Sequence, residues 1–298
     1  MPAPALILHG GAGARRSRDY SAEVVHMRQV VQAMAARLNE GLPALDAVVE
    51  AVAMLEESGL YVAGRGSSPN LAGEYELDAS LMDGPTRKAG AVAALQGYRS
   101  PIRAARAVME HTPHVLLAGS GAARFAAEQG LDPITDPDAW FTRAGQGEDN
   151  HPPGHPPGQG PQLAHGTVGC CALDDQGRLA AATSTGGVFG KLPGRVGDTP
   201  IPAAGVWADA DVAVSSTGQG EYFLRTAAAA QVSWRVRAGS PVDQAARAVI
   251  DEIGSLGGDG GLIALDRHGR HADPFNSQGM KRAWLSPDGA VGVDVFGR

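Results

Sequence analysis

The pattern of apolar positions in the first part of the chain predicts one strand followed by two helices. Residues 4–8 form a short apolar run that leads into the loop 9–13 (HGGAG), which predicts a buried strand. Apolar residues then recur at intervals of three and four, which predicts a helix ending at Gly41 and a second helix that begins at Pro43 and ends near Gly59. The two apolar stripes are Val24, Met27, Val31, Met34 and Leu38, and Leu45, Val48, Val52 and Leu55.

Beyond these helices the pattern becomes mixed and then breaks off. The segment 61–83 is punctuated by glycine and has little helical period, whereas the small apolar residues of 89–95 predict a strand in a tightly covered sheet. Residues 101–110 and 119–129 have helical spacing. From 143 to 166 the chain has almost no large apolar residue and several clustered prolines, which predicts a flexible linker.

After the linker the chain alternates in the manner of strands. Residues 167–173 and 178–183 are strand-like, and the polar turn 174–177 between them predicts a hairpin. Two more hairpins are predicted around 266–269 and 286–289, and two helices over 221–230 and 241–253. Both halves therefore contain helices and strands, with the linker between them.

Composition and charge narrow the class of protein. The chain has 298 residues, 43% of them hydrophobic, which is enough for a buried core. Its net charge of −7 argues against nucleic acid and against an anionic membrane surface as partners. No apolar run reaches the ~20 residues of a membrane span, and the first residues lack a secretory signal pattern. Cys170 and Cys171 are adjacent, so we expect reduced cysteines that pack as small apolar residues, and a cytoplasmic location.

Thr167 has the sequence context of an N-terminal nucleophile. It follows Gly166 at the point where the linker ends and a strand begins. If the Gly166–Thr167 bond is cut, the new α-amine, with a pKa near ~8, can act as the base for the hydroxyl of the same residue. Symmetric pairing about the 174–177 turn places Thr185 opposite Thr167, at a Cβ separation of ~5 Å. The alternative is a threonine pair that only stabilises the sheet.

Two further clusters suggest recognition of an amino acid and stabilisation of an anion. Arg195 and Asp198 lie in a loop rich in glycine and proline, where a guanidinium can fork onto a carboxylate and an aspartate can hold an ammonium. The alternative is an ion pair within the loop. We expect 215–221 to open a helix, where Thr217 and nearby N–H groups could stabilise an oxyanion. A glycine-rich helix cap is the commoner use of such a segment.

Two other kinds of site are less well supported by the residues. His151, His155 and His165 could bind a metal ion, but the prolines around them prevent the helix that would align them. The glycines of 9–13 could form a phosphate loop, but no lysine followed by serine or threonine comes after them, and their spacing does not fit a dinucleotide fingerprint.

Eight short motifs follow one another over nearly the whole chain. They are LHGGAGA at 8–14, AGRGS at 63–67, ELDASLMDG at 76–84, HGTVG at 165–169, ATSTGG at 182–187, GRVGDTPIPAAG at 194–205, STGQGE at 216–221 and DPFNSQGM at 273–280. With these motifs in this order, the sequence resembles the plant-type L-asparaginase/isoaspartyl peptidase family of N-terminal nucleophile hydrolases, the threonine type.

The resemblance implies an α+β fold, a single four-layer αββα sandwich over residues 1–298, made as an inactive precursor. The precursor would cut itself between Gly166 and Thr167 into an α chain, 1–166, and a β chain, 167–298. Two such cleaved precursors, each consisting of one α chain and one β chain, would then associate as a dimer. The resemblance implies no organic cofactor.

The resemblance also assigns roles to the candidate residues. Thr167 would be the nucleophile and, through its amine, the base, with Thr185 as the supporting hydroxyl. Arg195 would bind the α-carboxylate of the substrate and Asp198 its α-amine. The oxyanion hole would consist of Thr217 and the N–H of Gly218. The implied reaction is hydrolysis of the side-chain amide of L-asparagine or of the isopeptide bond of β-aspartyl dipeptides, through an ester on Thr167, releasing L-aspartate.

One departure from the family pattern raises an alternative. The family usually has asparagine where this chain has Val62, and valine makes no side-chain hydrogen bond. The alternative is an uncut or silenced family member with a binding or structural role. A glycosylasparaginase is disfavoured by the absence of a disulfide framework, and a threonine-aspartase-like protease by the length of the chain.

A structural sodium ion is also implied by the resemblance. The sequence indicates no side chain as a ligand of this ion. The main-chain carbonyls that would hold it are those of Leu55, Glu56, Ser58, Tyr61, Ala63 and Arg65.

Overall fold

The computed structural model describes residues 3–144 and 166–297, which form twelve strands and eight helices over these two ranges. The strands are β1 Ala5–His9, β2 Leu77–Asp83, β3 Ala89–Leu95, β4 Leu116–Ala118, β5 Val168–Leu173, β6 Leu179–Thr185, β7 Val206–Ala208, β8 Val212–Gly218, β9 Gly260–Asp266, β10 His271–Ala272, β11 Arg282–Leu285 and β12 Val291–Asp294. The helices are α1 Ser21–Asn39, α2 Ala44–Ser58, α3 Pro101–His111, α4 Gly119–Glu128, α5 Pro137–Trp140, α6 Gly220–Thr226, α7 Ala228–Arg237 and α8 Val242–Ser255.

The strands form two sheets that face each other. The larger has the order β12-β11-β1-β5-β6-β2-β3-β4 and the smaller the order β10-β9-β8-β7. Every described pair is antiparallel except β3 with β4. Helices α1 to α4 cover the outer face of the larger sheet, and α7 and α8 cover that of the smaller. The four-layer αββα sandwich implied by the resemblance is confirmed.

The central strands show how one sequence supplies two cores. Leu6 and Leu8 of β1, with Cys170 of β5, face the outer helices, whereas Ile7 and Cys171 face the second sheet. This alternation follows from the two-residue period of a strand. Both cysteines are free and fully buried, as expected for small packing residues. Burial raises the pKa of both thiols, which keeps them protonated and unreactive.

The three predicted hairpins are present, as β5–β6, β9–β10 and β11–β12. The strand predicted at 89–95 is β3, and the covering helix comes so close that a side chain at Gly90 would overlap the carbonyl of Ala105. The helix predicted over 221–230 is wrong as one element, because the left-handed Ala227 (φ +49°) divides it into α6 and α7.

Strands β2 and β8 were not predicted from the sequence. Every residue of β8 is buried, and so are all but the last of β2, so neither strand shows the alternation of polar and apolar residues that marks a half-exposed strand. Residues 215–218 end strand β8 and do not open a helix as expected, since α6 begins only at Gly220.

Most of the predicted linker, 145–165, lies outside the described residues, together with His151, His155 and His165. In the two described ranges, none of the helices has both the length and the apolar character needed to cross a bilayer.

Candidate active site

The predicted nucleophile lies at the start of the central strand. Thr167 immediately precedes β5, is 5% exposed, and has its Oγ1 3.4 Å from Oγ1 of Thr185. Strand pairing sets this distance, because Val168 pairs with Ser184 and Thr167 therefore stands opposite Thr185. The Thr185 hydroxyl also accepts the N–H of Gly187 at 3.0 Å. The predicted threonine pair is thus present and buried at the end of the β5–β6 hairpin.

His9 holds Thr167 from the neighbouring strand, a contact that the sequence did not reveal. Its Nδ1 lies 3.1 Å from the carbonyl oxygen of Thr167, and its Nε2 lies 2.9 Å from Oγ of Ser215 on β8. Burial lowers the pKa of His9 to about 3, so the ring is neutral. Because a carbonyl oxygen can only accept, Nδ1 carries the proton and Nε2 accepts from the Ser215 hydroxyl. The imidazole therefore connects the two sheets beside Thr167.

Glycine at position 169 makes room for this connection. His9 pairs with Gly169 in the β1–β5 ladder. A Cβ at Gly169 would lie 1.9 Å from Oγ of Ser215 and 2.5 Å from Nε2 of His9. Any larger residue would therefore displace the His9–Ser215 hydrogen bond.

Thr217 reaches the same region from the second sheet. It is completely buried at the end of β8, two residues beyond Ser215 and on the same face of the strand. Its Oγ1 accepts the N–H of Ala12 at 3.3 Å. With one lone pair used in this way, the hydroxyl proton of Thr217 is free to point elsewhere. A side chain at the adjacent Gly218 (φ +156°) would overlap the carbonyl of Asp259, so only glycine fits.

Val62 lies directly against Gly166, the residue before Thr167. A Cβ at Gly166 would overlap the Val62 side chain, which leaves room only for glycine at 166. The carbonyl of Val62 accepts the N–H of Gly186 at 2.8 Å and lies 3.5 Å from Oγ1 of Thr185. These polar contacts use the backbone, which any residue at position 62 would supply.

Arg195 pairs with a residue that was not among the predicted ones. Its Nε and Nη2 donate to Oε1 and Oε2 of Glu221, each at 3.0 Å, and its side chain is 15% exposed. The alternative of an ion pair with Asp198 does not appear among the salt bridges that the described ranges contain. A guanidinium has five N–H groups, so this pair leaves others for a ligand.

Asp198 is a buried carboxyl group beside Arg195. It is 4% exposed, and its Oδ2 has no hydrogen-bond partner within the described parts of the chain. Burial raises its pKa to about 7, an effect that the nearby Arg195 opposes. Gly220 packs so tightly on Asp198 that a Cβ there would lie 2.7 Å from Oδ1. Such an unpartnered buried carboxyl is suited to a cationic ligand.

Of the other two kinds of site, the candidate metal ligands His151, His155 and His165 lie outside the described residues. Across the described ranges, no group of three or more His, Cys, Asp or Glu side chains could hold a metal ion. The 9–13 segment is bonded to other parts of the chain and does not present its N–H groups as a phosphate loop would. His9 contacts Thr167 and Ser215, and the N–H of Ala12 donates to Thr217.

A four-layer sandwich whose central strand starts at a buried threonine, with two further hydroxyls nearby, has the form of an N-terminal nucleophile hydrolase. A family model described as asparaginase matches residues 2–293 of the chain. The chain belongs to this asparaginase family, a family of enzymes, and the resemblance described above is confirmed.

Curated relatives match over nearly their whole length. The isoaspartyl peptidase of Salmonella typhimurium is 45% identical, with 94% of each chain covered. That of Escherichia coli is 42% identical, with 94% of this chain and 92% of the relative covered. The human isoaspartyl peptidase/L-asparaginase is 40% identical, with 98% of this chain and 96% of the relative covered. All three relatives are named as isoaspartyl peptidases, which does not favour the alternative of an uncut or silenced family member with a binding role.

Proposed function

We propose that this protein is a self-processing amidohydrolase that cleaves the side-chain amide of L-asparagine and the isopeptide bond of β-aspartyl dipeptides. The observation that carries the proposal is the buried Thr167–Thr185 hydroxyl pair, 3.4 Å apart, at the end of the central hairpin. The names of the relatives supply the substrate class.

Substrate recognition is assigned to the loop after β6. Arg195 offers its remaining N–H groups to the α-carboxylate, and the unpartnered Oδ2 of Asp198 accepts from the α-ammonium. Both groups belong to the aspartyl part that asparagine and β-aspartyl dipeptides share. These two contacts place the side-chain carbonyl of the substrate toward Thr167.

The chemical steps use groups of the protein alone. The free amine of Thr167 takes the proton of its own hydroxyl, and Oγ attacks the side-chain carbonyl of the substrate. Thr217 and the N–H of Gly218 donate to the resulting oxyanion. The protonated amine passes its proton to the leaving nitrogen, the C–N bond breaks, and ammonia or an amine departs. Water, deprotonated by the same amine, then hydrolyses the ester to L-aspartate and restores the Thr167 hydroxyl.

Self-cleavage uses the same oxygen on a different carbonyl. Oγ of Thr167 attacks the carbonyl carbon of Gly166, and the peptide C–N bond breaks as the nitrogen of Thr167 becomes an amine. Water hydrolyses the ester and leaves a carboxylate on Gly166. Val62, packed on Gly166, and His9, bonded to the carbonyl of Thr167, hold the two sides of this peptide bond.

The sodium ion implied by the resemblance would suit the donor chemistry of the last turn of α2 and the loop that follows it. Carbonyl oxygens suit a hard cation, and those of Leu55, Glu56, Ser58, Tyr61, Ala63 and Arg65 would hold it. Four of them already accept hydrogen bonds: Leu55 from Oγ of Ser58, Tyr61 from the N–H of Ala63, Ala63 from the N–H of Gly66, and Arg65 from both the N–H and Oγ1 of Thr142. The carbonyls of Tyr61 and Ala63 each keep a second lone pair for an ion. A bound ion would order the loop that carries Val62.

Two further parts of the proposal concern the mature protein in solution. The cleaved chains associate as a dimer of αβ units, which sedimentation measurements on purified protein would test. The enzyme works in the cytoplasm, which fits its two free cysteines.

The first test is the intact mass of freshly purified protein, repeated after days at about pH 7–8, the range in which the amine released by cleavage can then act as a base in the assays. Two species of 166 and 132 residues, the smaller beginning at Thr167, support the proposal. A single species that stays at 30.6 kDa contradicts it. Release of L-aspartate from asparagine and from a β-aspartyl dipeptide then measures the two activities.

A further inference from the structure

We infer that Glu76 is a positioning residue for substrate recognition, because it anchors the turn 191–195 and thereby aims Arg195. The inference rests on the proposed role of Arg195 in binding the α-carboxylate. Glu76 immediately precedes β2 and belongs to a different part of the chain from the loop that it holds.

Glu76 binds the turn at both of its ends. Its carboxylate accepts the N–H of Gly194 at 2.9 Å (Oε1) and 3.1 Å (Oε2). Its main-chain carbonyl accepts from Nζ of Lys191 at 2.6 Å. The turn closes on itself through the N–H of Arg195, which donates to the carbonyl of Leu192 at 3.0 Å. Arg195 therefore follows directly after a backbone group that Glu76 holds.

The anchor is itself buried and supported. Glu76 is 6% exposed and Lys191 is 3% exposed. Asn70 donates from Nδ2 to Oε2 of Glu76 at 3.1 Å, so the carboxylate has a second donor that does not move with the turn. A buried carboxylate with several charge-assisted hydrogen bonds keeps a defined orientation.

Apolar packing does not hold the tip of this turn. Leu192, between the two anchored residues, is 67% exposed, and Gly194 (φ +79°) has no side chain to bury. The turn also receives one backbone hydrogen bond from outside, from the N–H of Leu71 to the carbonyl of Lys191 at 2.9 Å. When the Glu76 side chain is lost, Lys191 stays bonded to the main-chain carbonyl of residue 76 and Arg195 stays paired with Glu221, but the N–H of Gly194 loses its acceptor. The backbone directly before Arg195 is then no longer fixed, and the guanidinium is less precisely aimed.

In the described parts of the chain, the buried charged groups around Glu76 interact with Arg195 and Lys191 and not with the threonine hydroxyls. Asp78, two residues further along, is completely buried and interacts electrostatically with Lys191 and Arg195. His9 bonds to Thr167 through one ring nitrogen and to Ser215 through the other, with no contribution from Glu76. Loss of Glu76 should therefore affect substrate binding far more than the chemical step.

The test compares Glu76→Ala and Glu76→Gln with the wild type, using two competitive inhibitors. L-aspartate carries the α-carboxylate, whereas β-alanine is the same molecule without it. We expect Glu76→Ala to raise the KM for asparagine and the inhibition constant of L-aspartate by about 10- to 100-fold, the range for a lost hydrogen bond to a charged group. We expect kcat and the inhibition constant of β-alanine to change by less than about threefold, because neither depends on Arg195.

Three results would overturn the inference: an unchanged KM, a fall in kcat as large as the rise in KM, or equal losses for both inhibitors. Glu76→Gln keeps one acceptor oxygen, so its effect should fall between the wild type and Glu76→Ala. This variant decides the matter if Glu76→Ala fails to fold, which uncut protein and a lower Tm would reveal.

Glu74→Gln is the matched control. Glu74 lies two residues away and is exposed, and its carboxylate has one long contact, 3.4 Å, to Gln96. Its KM should equal that of the wild type. Arg195→Ala separates the two proposals. If it leaves the preference for L-aspartate over β-alanine unchanged, the proposed role of Arg195 fails, whereas a loss in Arg195→Ala without one in Glu76→Ala removes only the inference.

Discussion

The two halves of the candidate site are held in place by different means. The hydroxyls of Thr167, Thr185 and Thr217 lie at the ends of three strands, β5, β6 and β8. Arg195 and Asp198 lie on the connection between β6 and β7, where no strand or helix is present. Ladder pairing positions the first group, and side-chain contacts from distant parts of the chain position the second.

This difference separates chemistry from recognition. A residue at the end of a paired strand moves little, because the ladder fixes the residues on at least one side of it, so the three hydroxyls keep their relative positions. A loop held by a few ion pairs and hydrogen bonds responds to the loss of any one of them. Substitutions among the strand ends should therefore reduce kcat, and substitutions around the loop should raise KM.

The largest effect is expected from Thr167→Ala. Without the hydroxyl there is no nucleophile for either reaction, so the chain should stay intact and hydrolysis should fall by at least ~10⁴-fold. Mass spectrometry and L-aspartate release measure the two losses. Thr167→Ser, which keeps a hydroxyl and can gain an amine, should still be cut. Cleavage of the alanine variant at 166–167 would contradict the proposal.

Thr217→Val should lower kcat by about 10²- to 10³-fold, the usual effect of removing one oxyanion donor, with KM within about threefold. Steady-state kinetics on asparagine would show this split. Thr183→Val is a suitable control, since within the described ranges this buried hydroxyl donates to the carbonyl of Val168, at 3.2 Å. It should lower Tm and leave kcat nearly unchanged. Equal kcat losses in both variants would argue against an oxyanion role.

His9→Phe should reduce both the self-cleavage rate and kcat by about 10- to 100-fold, because two buried hydrogen bonds are lost and the Thr167 carbonyl is no longer held. His9→Asn keeps a donor near the position of Nδ1 and should recover part of the rate. Single-turnover and cleavage time courses provide the measurements. If His9→Asn is no faster than His9→Phe in self-cleavage and turnover, the hydrogen bond to the Thr167 carbonyl does not account for the loss of rate.

The pH dependence of binding should reflect Asp198. Its pKa is raised to about 7 by burial, so below that pH the group is neutral and cannot pair with the α-ammonium. As pH rises through this value the carboxylate forms and binding improves. We expect kcat/KM to rise by about tenfold between pH 6 and 8 from this group, as its ionised fraction grows. Asp198→Asn should remove this part of the profile. An unchanged profile would point to another group.

Val62→Asn should have the smallest effect on self-cleavage. The contacts of residue 62 to Gly186 and Thr185 come from its main-chain carbonyl, which the substitution retains. We expect a change of less than about threefold in the cleavage half-time, equivalent to well under ~1 kcal/mol. A much faster asparagine variant would show that the valine side chain, through its packing on Gly166, slows maturation.

Part of this arrangement was predictable from neighbouring residues. The turn at 174–177 sets the register of the β5–β6 hairpin, and the register places Thr167 opposite Thr185. A strand has a two-residue period and a hairpin has one symmetric pairing, so this inference needs no tertiary information. The helices α1 and α2 were predictable for a similar reason, since each buries one apolar stripe.

Other parts depend on contacts between distant segments. Strand β8 is buried on both faces and carries hydroxyl residues, so its sequence indicated a helix start and not a strand. The motif around His9 was visible, but its role depends on the second sheet, which brings Ser215 to Nε2. Glu76 and Glu221 belong to sequence motifs, but no role could be assigned to them from the sequence. Neither motif indicates that its glutamate contacts the turn around Arg195.

Local patterning therefore decided helices α1 and α2, the hairpin that pairs two threonines, and the glycine that precedes Thr167. The packing of two sheets decided which strand supplies Thr217 and how a neutral, buried His9 joins that strand, through Ser215, to Thr167. The physical reason is range. Periodicity and turn chemistry act over a few residues, whereas the pairing of buried polar groups is settled only when segments far apart in the chain exclude water together.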